Sequence, residues 1–182
     1  SLDRGLHFKS AIQELSGLIE FNFLPYEIGN PAYKWSPYLF TGISIFNFNP
    51  LAENTNGEWI ELQPLGTEGQ GTTAYPDRKK YSRTQFSIPL GGGLKFSVNE
   101  SFNILFSFSM NKTFTDYLDD VSLTYPGNPT EFTNESSDMS DPTGTHSKDE
   151  QRGDEELKDD WYAFSAITLS FKLPSFSKGC DY

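Results

Sequence analysis

The chain has 182 residues, a formal net charge of -11, and 15 Gly, 16 Phe and 9 Tyr within a modest 36% hydrophobic content. That length suits one domain, 1–182. The acidic balance and the lack of a Lys/Arg cluster exclude a general affinity for nucleic acid. No run approaches the roughly 18 to 20 apolar residues of a membrane-spanning helix. Low mean hydropathy does not exclude a transmembrane β-barrel, whose lipid-facing and lumen-facing residues alternate.

Along the chain, Ser1 to Lys9 carry neither a signal peptide nor a cleavage site, so an exported barrel is expected here in mature or truncated form. From Ala11 to Leu24, Ala11, Leu15, Ile19, Phe21 and Phe23 alternate with Glu14, Ser16, Glu20 and Asn22, the period of a strand. Tyr38 to Phe48 is also strand-like, though its faces are less clearly sorted. Phe86, Ile88, Leu90, Leu94, Phe96 and Val98 alternate with Gln85, Ser87, Gly91, Gly93, Lys95 and Ser97. After Asn99 and Glu100 the alternation restarts, with Phe102, Ile104, Phe106, Phe108 and Met110 against Asn103, Ser107, Ser109 and Asn111, which predicts a tightly turned hairpin. Trp161 to Leu173 forms a last strand. Helical periodicity is absent throughout.

These strands, about 11 to 15 residues long, are longer than the usual 5 or 6 of soluble sheets and long enough to cross a bilayer at a tilt. Tyr38, Phe40, Phe46, Phe48, Trp161, Tyr162 and Phe171 lie near strand ends, as in interfacial girdles, although aromatic residues are good strand formers in any setting. The turn at Asn99 is short, whereas loops 49–83 and 116–160 are long. With the long loops outside, Pro25–Pro37 and the Asn99 turn become periplasmic, as does the C-terminus. The expected architecture is an all-β, antiparallel transmembrane barrel of about eight strands, with about five in this chain and upstream strands missing. An open five-stranded sheet would expose two unpaired edges to lipid.

Segment 116–160 holds fourteen Asp and Glu residues against Lys148, Arg152 and Lys158, a density that disfavours compact folding and points to a solvated loop. Asp116, Asp119 and Asp120 are hard oxygen ligands for a divalent cation but lack the spacing of a Ca²⁺ loop. No metal, cofactor or catalytic site is therefore assigned. His146, Ser147 and Asp149 are adjacent in sequence without the geometry of a triad. Gly91-Gly92-Gly93 lacks the Lys of a phosphate loop, and its glycines are expected to relieve crowding or admit a close neighbour. Glu14, Glu20 and Lys95 are expected to form a polar network inside a narrow barrel. Cys180, the lone cysteine, makes no internal disulfide.

Several segments resemble the PorG-like outer-membrane β-barrel family of Bacteroidota. They are Leu6-His7-Phe8-Lys9-Ser10, Glu20-Phe21-Asn22-Phe23, Pro37-Tyr38-Leu39-Phe40-Thr41-Gly42, the block from Lys112 to Ser122, Arg152-Gly153 and Asp160-Trp161-Tyr162. The resemblance implies an eight-stranded outer-membrane protein of the type IX secretion system, without enzymatic activity. Its implied surroundings are membrane lipid, lipopolysaccharide and PorK/PorN-type periplasmic ring proteins. Thr115, Asp116, Tyr117, Asp119 and Asp120 would then form the outward end of a strand and the start of its loop. Arg152 would pair with one of those carboxylates at the rim, and Trp161 and Tyr162 would anchor the returning strand. The long acidic insertion between Tyr125 and Gln151 departs from a shared loop function.

The expected function is thus a barrel that anchors or docks a periplasmic ring, with Tyr26, Tyr33 and Trp35 as docking candidates because aromatic residues dominate interface hot spots. The alternatives are a barrel that displays its loops to a ligand, lipopolysaccharide or cations, a soluble lipocalin-type barrel with a greasy interior, and, remotely, an enzymatic barrel.

Overall fold

A computed structural model describes residues 5–153 and 159–171. In chain order the elements are β1 (Lys9–Ser10), β2 (Gln13–Asn22), β3 (Trp35–Asn47), β4 (Pro50–Glu53), β5 (Trp59–Glu61), α1 (Leu62–Leu65), β6 (Thr84–Ser97), β7 (Phe102–Thr113), α2 (Asn134–Ser140) and β8 (Trp161–Phe171). The chain is mostly antiparallel β-sheet. Five strands form one sheet in the order β2-β3-β6-β7-β8, and β1-β4-β5 form a second, smaller one. The alternating segments of the sequence are the strands of the larger sheet. Cys180 and the last two residues of the expected final strand lie outside the described residues.

The larger sheet is not closed into a barrel. Its order is linear, leaving β2 and β8 as edges, and five strands are too few for closure when small barrels need about eight. Two short helices also depart from the expectation of no helix. Thr133 caps α2 by accepting the Ser136 N–H at 3.0 Å. This local signal is independent of hydrophobic period, which a helix of seven residues hardly displays.

The chain divides into two compact units. One comprises residues 17–43, 88–111 and 162–182. Within its described part, the apolar members of the alternation are exposed: Leu39, Ile43, Leu90, Leu94, Phe106, Phe108 and Ile167 all present large side chains to the surroundings. The opposite positions on the inner strands are covered and mostly polar, with Ser36, Ser97, Asn103, Ser109 and Asn111 buried alongside the Tyr38 ring. Water would favour the reverse arrangement. On the covered face Lys95 forms an ion pair with Glu20, so part of the anticipated polar network is present.

Gly91 and Gly93 lie on this covered face because the side chains of Phe40 and Tyr38 cross over them. A Cβ on Gly91 would stand 2.8 Å from Phe40 Cε1, and one on Gly93 would stand 2.9 Å from Tyr38 Cε1 while striking the Phe106 carbonyl oxygen. Gly93→Ala is expected to destabilise the sheet by about 1–3 kcal/mol through overpacking. Denaturant unfolding of the two proteins checks this, and an unchanged midpoint would contradict the close approach.

The segment between β2 and β3 folds back by local bonds, including Tyr33 N–H to the Asn30 carbonyl at 3.1 Å. Tyr26 turns inward and donates its hydroxyl to Asn103 Oδ1 at 3.2 Å. Tyr33 and Trp35 remain exposed, and Trp35 is the first residue of β3 rather than part of the preceding loop.

Candidate functional site

The other unit comprises residues 1–16, 44–87 and 112–161. It includes both long loops, and its covered interior holds Glu68, Asp120 and Arg152 among buried aromatic and apolar side chains such as Phe48, Leu118 and Tyr125. Arg152, only 1% exposed, sits among backbone carbonyls and carboxylates. Its Nη1 contacts Glu68 Oε1 at 3.2 Å and donates to the Asp120 carbonyl at 2.7 Å, while Nε donates to the Ser140 carbonyl at 3.1 Å. Glu68 Oε1 also accepts the Ser122 and Leu123 N–H groups at 2.9 and 3.0 Å. A guanidinium and a carboxylate can be withdrawn from water when each also satisfies neighbouring backbone groups.

Asp120 adopts φ 69°, a left-handed conformation that Asp tolerates better than most residues. Its Oδ1 accepts the Tyr81 hydroxyl at 2.6 Å, and Oδ2 accepts the Thr67 hydroxyl. Tyr81 stacks between Phe48, at 5.9 Å between ring centroids, and Tyr117, at 4.7 Å. Burial pushes the Tyr117 hydroxyl up to about 12, with the Glu68 charge adding to the effect. The loop carrying Thr67 and Glu68 turns at Gly66, Gly69 and Gly71, all with positive φ. A side chain on Gly69 would also meet the Tyr75 ring at 2.7 Å.

Burial raises the Asp120 carboxyl to about 6, outweighing the Arg152 charge and the two hydroxyl donors that favour its ionised form. An Asp pKa raised in the folded state means that folding takes up a proton. Its contribution is fully present below the ordinary pKa of 3.8 and lost as pH rises through about 6. Asp120→Asn keeps an oxygen for Tyr81 and is expected to flatten the change in thermal midpoint between pH 4 and pH 8. Parallel pH profiles for the two proteins would contradict this assignment.

The acidic segment is therefore not simply a solvated loop in its described part. Several of its carboxylates are held by different hydrogen-bond partners, while Glu131, Glu135 and Asp138 are exposed. Asp116 accepts the Ser122 hydroxyl at 2.8 Å, and Asp119 accepts the Val121 N–H at 3.0 Å. Thr115 is buried, and its Oγ1 accepts the Tyr117 N–H at 3.3 Å. Arg152 is in ion contact with Glu68, a partner outside the expected 116–120 block, and it meets that block at the Asp120 carbonyl.

Trp161 is half exposed at the start of β8, with Lys112 Nζ 5.4 Å from its ring centroid. In the other unit, the Tyr162 carbonyl accepts from Asn111 at 3.3 Å. His146 pairs with Asp141 at 2.9 Å, whereas Asp149 accepts the Tyr75 hydroxyl at 3.0 Å, so His146, Ser147 and Asp149 do not assemble as a triad. Among the described residues, no three or more His, Cys, Asp or Glu side chains form a group that could hold a metal ion.

Glu68, Thr67, Tyr81 and Arg78 were not legible as site residues. Arg78 Nη1 donates to the Glu68 carbonyl at 2.6 Å, tying the glycine-containing loop to Thr124 as well. The run Gly66-Thr67-Glu68-Gly69-Gln70-Gly71 is the one local signal that could have drawn notice to it.

A family model described as a domain of unknown function, DUF6089, matches residues 1–61, a span that ends with β5. Neither a curated protein nor a solved structure is similar enough to the chain to count as a match.

Proposed function

We propose that this chain contributes to a β-barrel of the bacterial outer membrane and serves as a non-enzymatic scaffold that docks the periplasmic ring of a type IX-like secretion machine. The observation that carries the membrane reading is the inverted polarity of the larger sheet, with exposed Leu90, Phe106, Phe108 and Ile167 against buried Asn103, Ser109 and Asn111. Lipid favours that arrangement. It also argues against a lipocalin-type barrel, whose covered face would be apolar.

Strands of 10 to 14 residues meet the length that a tilted crossing requires. The secretion role rests on the resemblance of the sequence to the PorG-like family, with PorK/PorN-type proteins as the expected partners and lipid and lipopolysaccharide around the barrel. The C-terminus would face the periplasm. Exposed Tyr33 and Trp35 are the docking residues, while Tyr26 supports the segment from within.

Affinity purification of the full-length protein from its native envelope in detergent, with mass spectrometry of co-purifying proteins, tests the role. Periplasmic ring components should be recovered with the wild type and reduced by combined Tyr33→Ala and Trp35→Ala. A barrel purifying alone would overturn the scaffold reading. The folded unit around Arg152 favours a second reading, in which the barrel displays an ordered loop surface to a ligand.

A further inference from the structure

We infer that a cleft within the loop-bearing unit binds a primary alkylammonium group, with Asp119 and Glu53 supplying the opposing charge. The cleft has a volume of about 180 Å³. Leu62 and Met139, both buried, and Val121 give it apolar walls, while Glu53 and Asp119 line it together with His7. An apolar cavity of about 150 Å³ accommodates a molecule the size of benzene, so this cleft suits a short hydrocarbon stem rather than a large ligand.

The charge pattern selects the head group. Arg152 also borders the cleft, but its guanidinium is held by Glu68 and by the carbonyls of Asp120 and Ser140. Glu53 and Asp119 form no ion pair among the described residues. Burial raises the Asp119 carboxyl above its ordinary range, opposed by the Val121 N–H and the Arg152 charge, so an arriving cation would restore its favoured ionised form. A bare divalent ion would find too few oxygen ligands among the apolar walls. An ammonium on a chain of four or five carbons satisfies both halves of the site. The group could be carried by a free diamine or by the side chain of a lysine in a peptide.

Calorimetric titration of the detergent-solubilised full chain with n-butylammonium tests the inference, with n-butanol as the uncharged counterpart. Saturable binding of the ammonium and much weaker binding of the alcohol are expected. Asp119→Asn retains an oxygen for the Val121 N–H, and Glu53→Gln conserves size. Asp119→Asn should weaken ammonium binding on the order of tenfold through loss of a partly buried charge interaction, and Glu53→Gln, at an exposed position, by about two- to fivefold. Equal binding of alcohol and ammonium, no saturable ammonium binding, or unchanged affinity in both variants would overturn the proposal. Comparing cadaverine with Nα-acetyl-lysine amide separates the two sources, since either preference keeps the shared chemistry. Membrane insertion and ring docking are read by different experiments, so this site can fail without them.

Discussion

Replacing Arg152 with Ala is expected to destabilise the loop-bearing unit by about 3–5 kcal/mol, because it leaves buried Glu68 without its cation and strips donors from the Asp120 and Ser140 carbonyls. Native-state hydrogen exchange should show the loss in the Ser122 and Leu123 amides, both of which bond to Glu68. Arg152→Lys should rescue little, since one ammonium cannot reproduce the guanidinium fork that reaches separate acceptors. Exchange rates unchanged by Arg152→Ala would show that the network adds nothing to local stability. The double variant Arg152→Met with Glu68→Gln supplies the complementary comparison. Removing both charges should cost less than removing Arg152 alone, because no uncompensated carboxylate remains buried.

Leu90→Arg should destabilise the protein folded in lipid vesicles by about 2–4 kcal/mol, the cost of an Arg at the bilayer midplane on the lipid face of a barrel. Leu90 is 51% exposed near the middle of β6, and Phe108, 52% exposed in β7, offers a second position on the same apolar side. In water an Arg at either position would leave stability nearly unchanged and improve solubility, so the sign of the effect distinguishes the two solvents. Denaturant unfolding in vesicles reads it directly. A Leu90→Arg protein as stable as the wild type, recovered without detergent, would remove the membrane reading.

The strands were legible because alternation is a local property. Phe86 to Val98 and Phe102 to Met110 display it within a dozen residues, and the polar partners on the opposite positions announce a two-faced sheet. The same reasoning missed the start of segment 116–160, where counting charges cannot tell a buried carboxylate from exposed ones such as Glu131, Glu135 and Asp138. Asp120 is instead buried against Tyr81 and Thr67, while Asp116 and Asp119 are taken up by Ser122 and Val121. Tyr26 was grouped with Tyr33 and Trp35 as a docking candidate, but its bond to Asn103 spans 77 positions and turns it inward.

Period, turn chemistry and strand length are thus written in neighbouring residues, since backbone geometry alternates side chains at every second position. Choosing Glu68 as the ion partner of Arg152 required bringing together residues 84 positions apart, past a nearer block of carboxylates. Sequence spacing cannot rank those candidates, because the buried pair forms only where the fold also brings the Ser122 and Leu123 N–H groups to Glu68 and the Asp120 and Ser140 carbonyls to Arg152. Strand content is accordingly a local matter, whereas the buried charge network of the loop-bearing unit and the cleft bordered by Asp119 arise only when distant segments fold against one another.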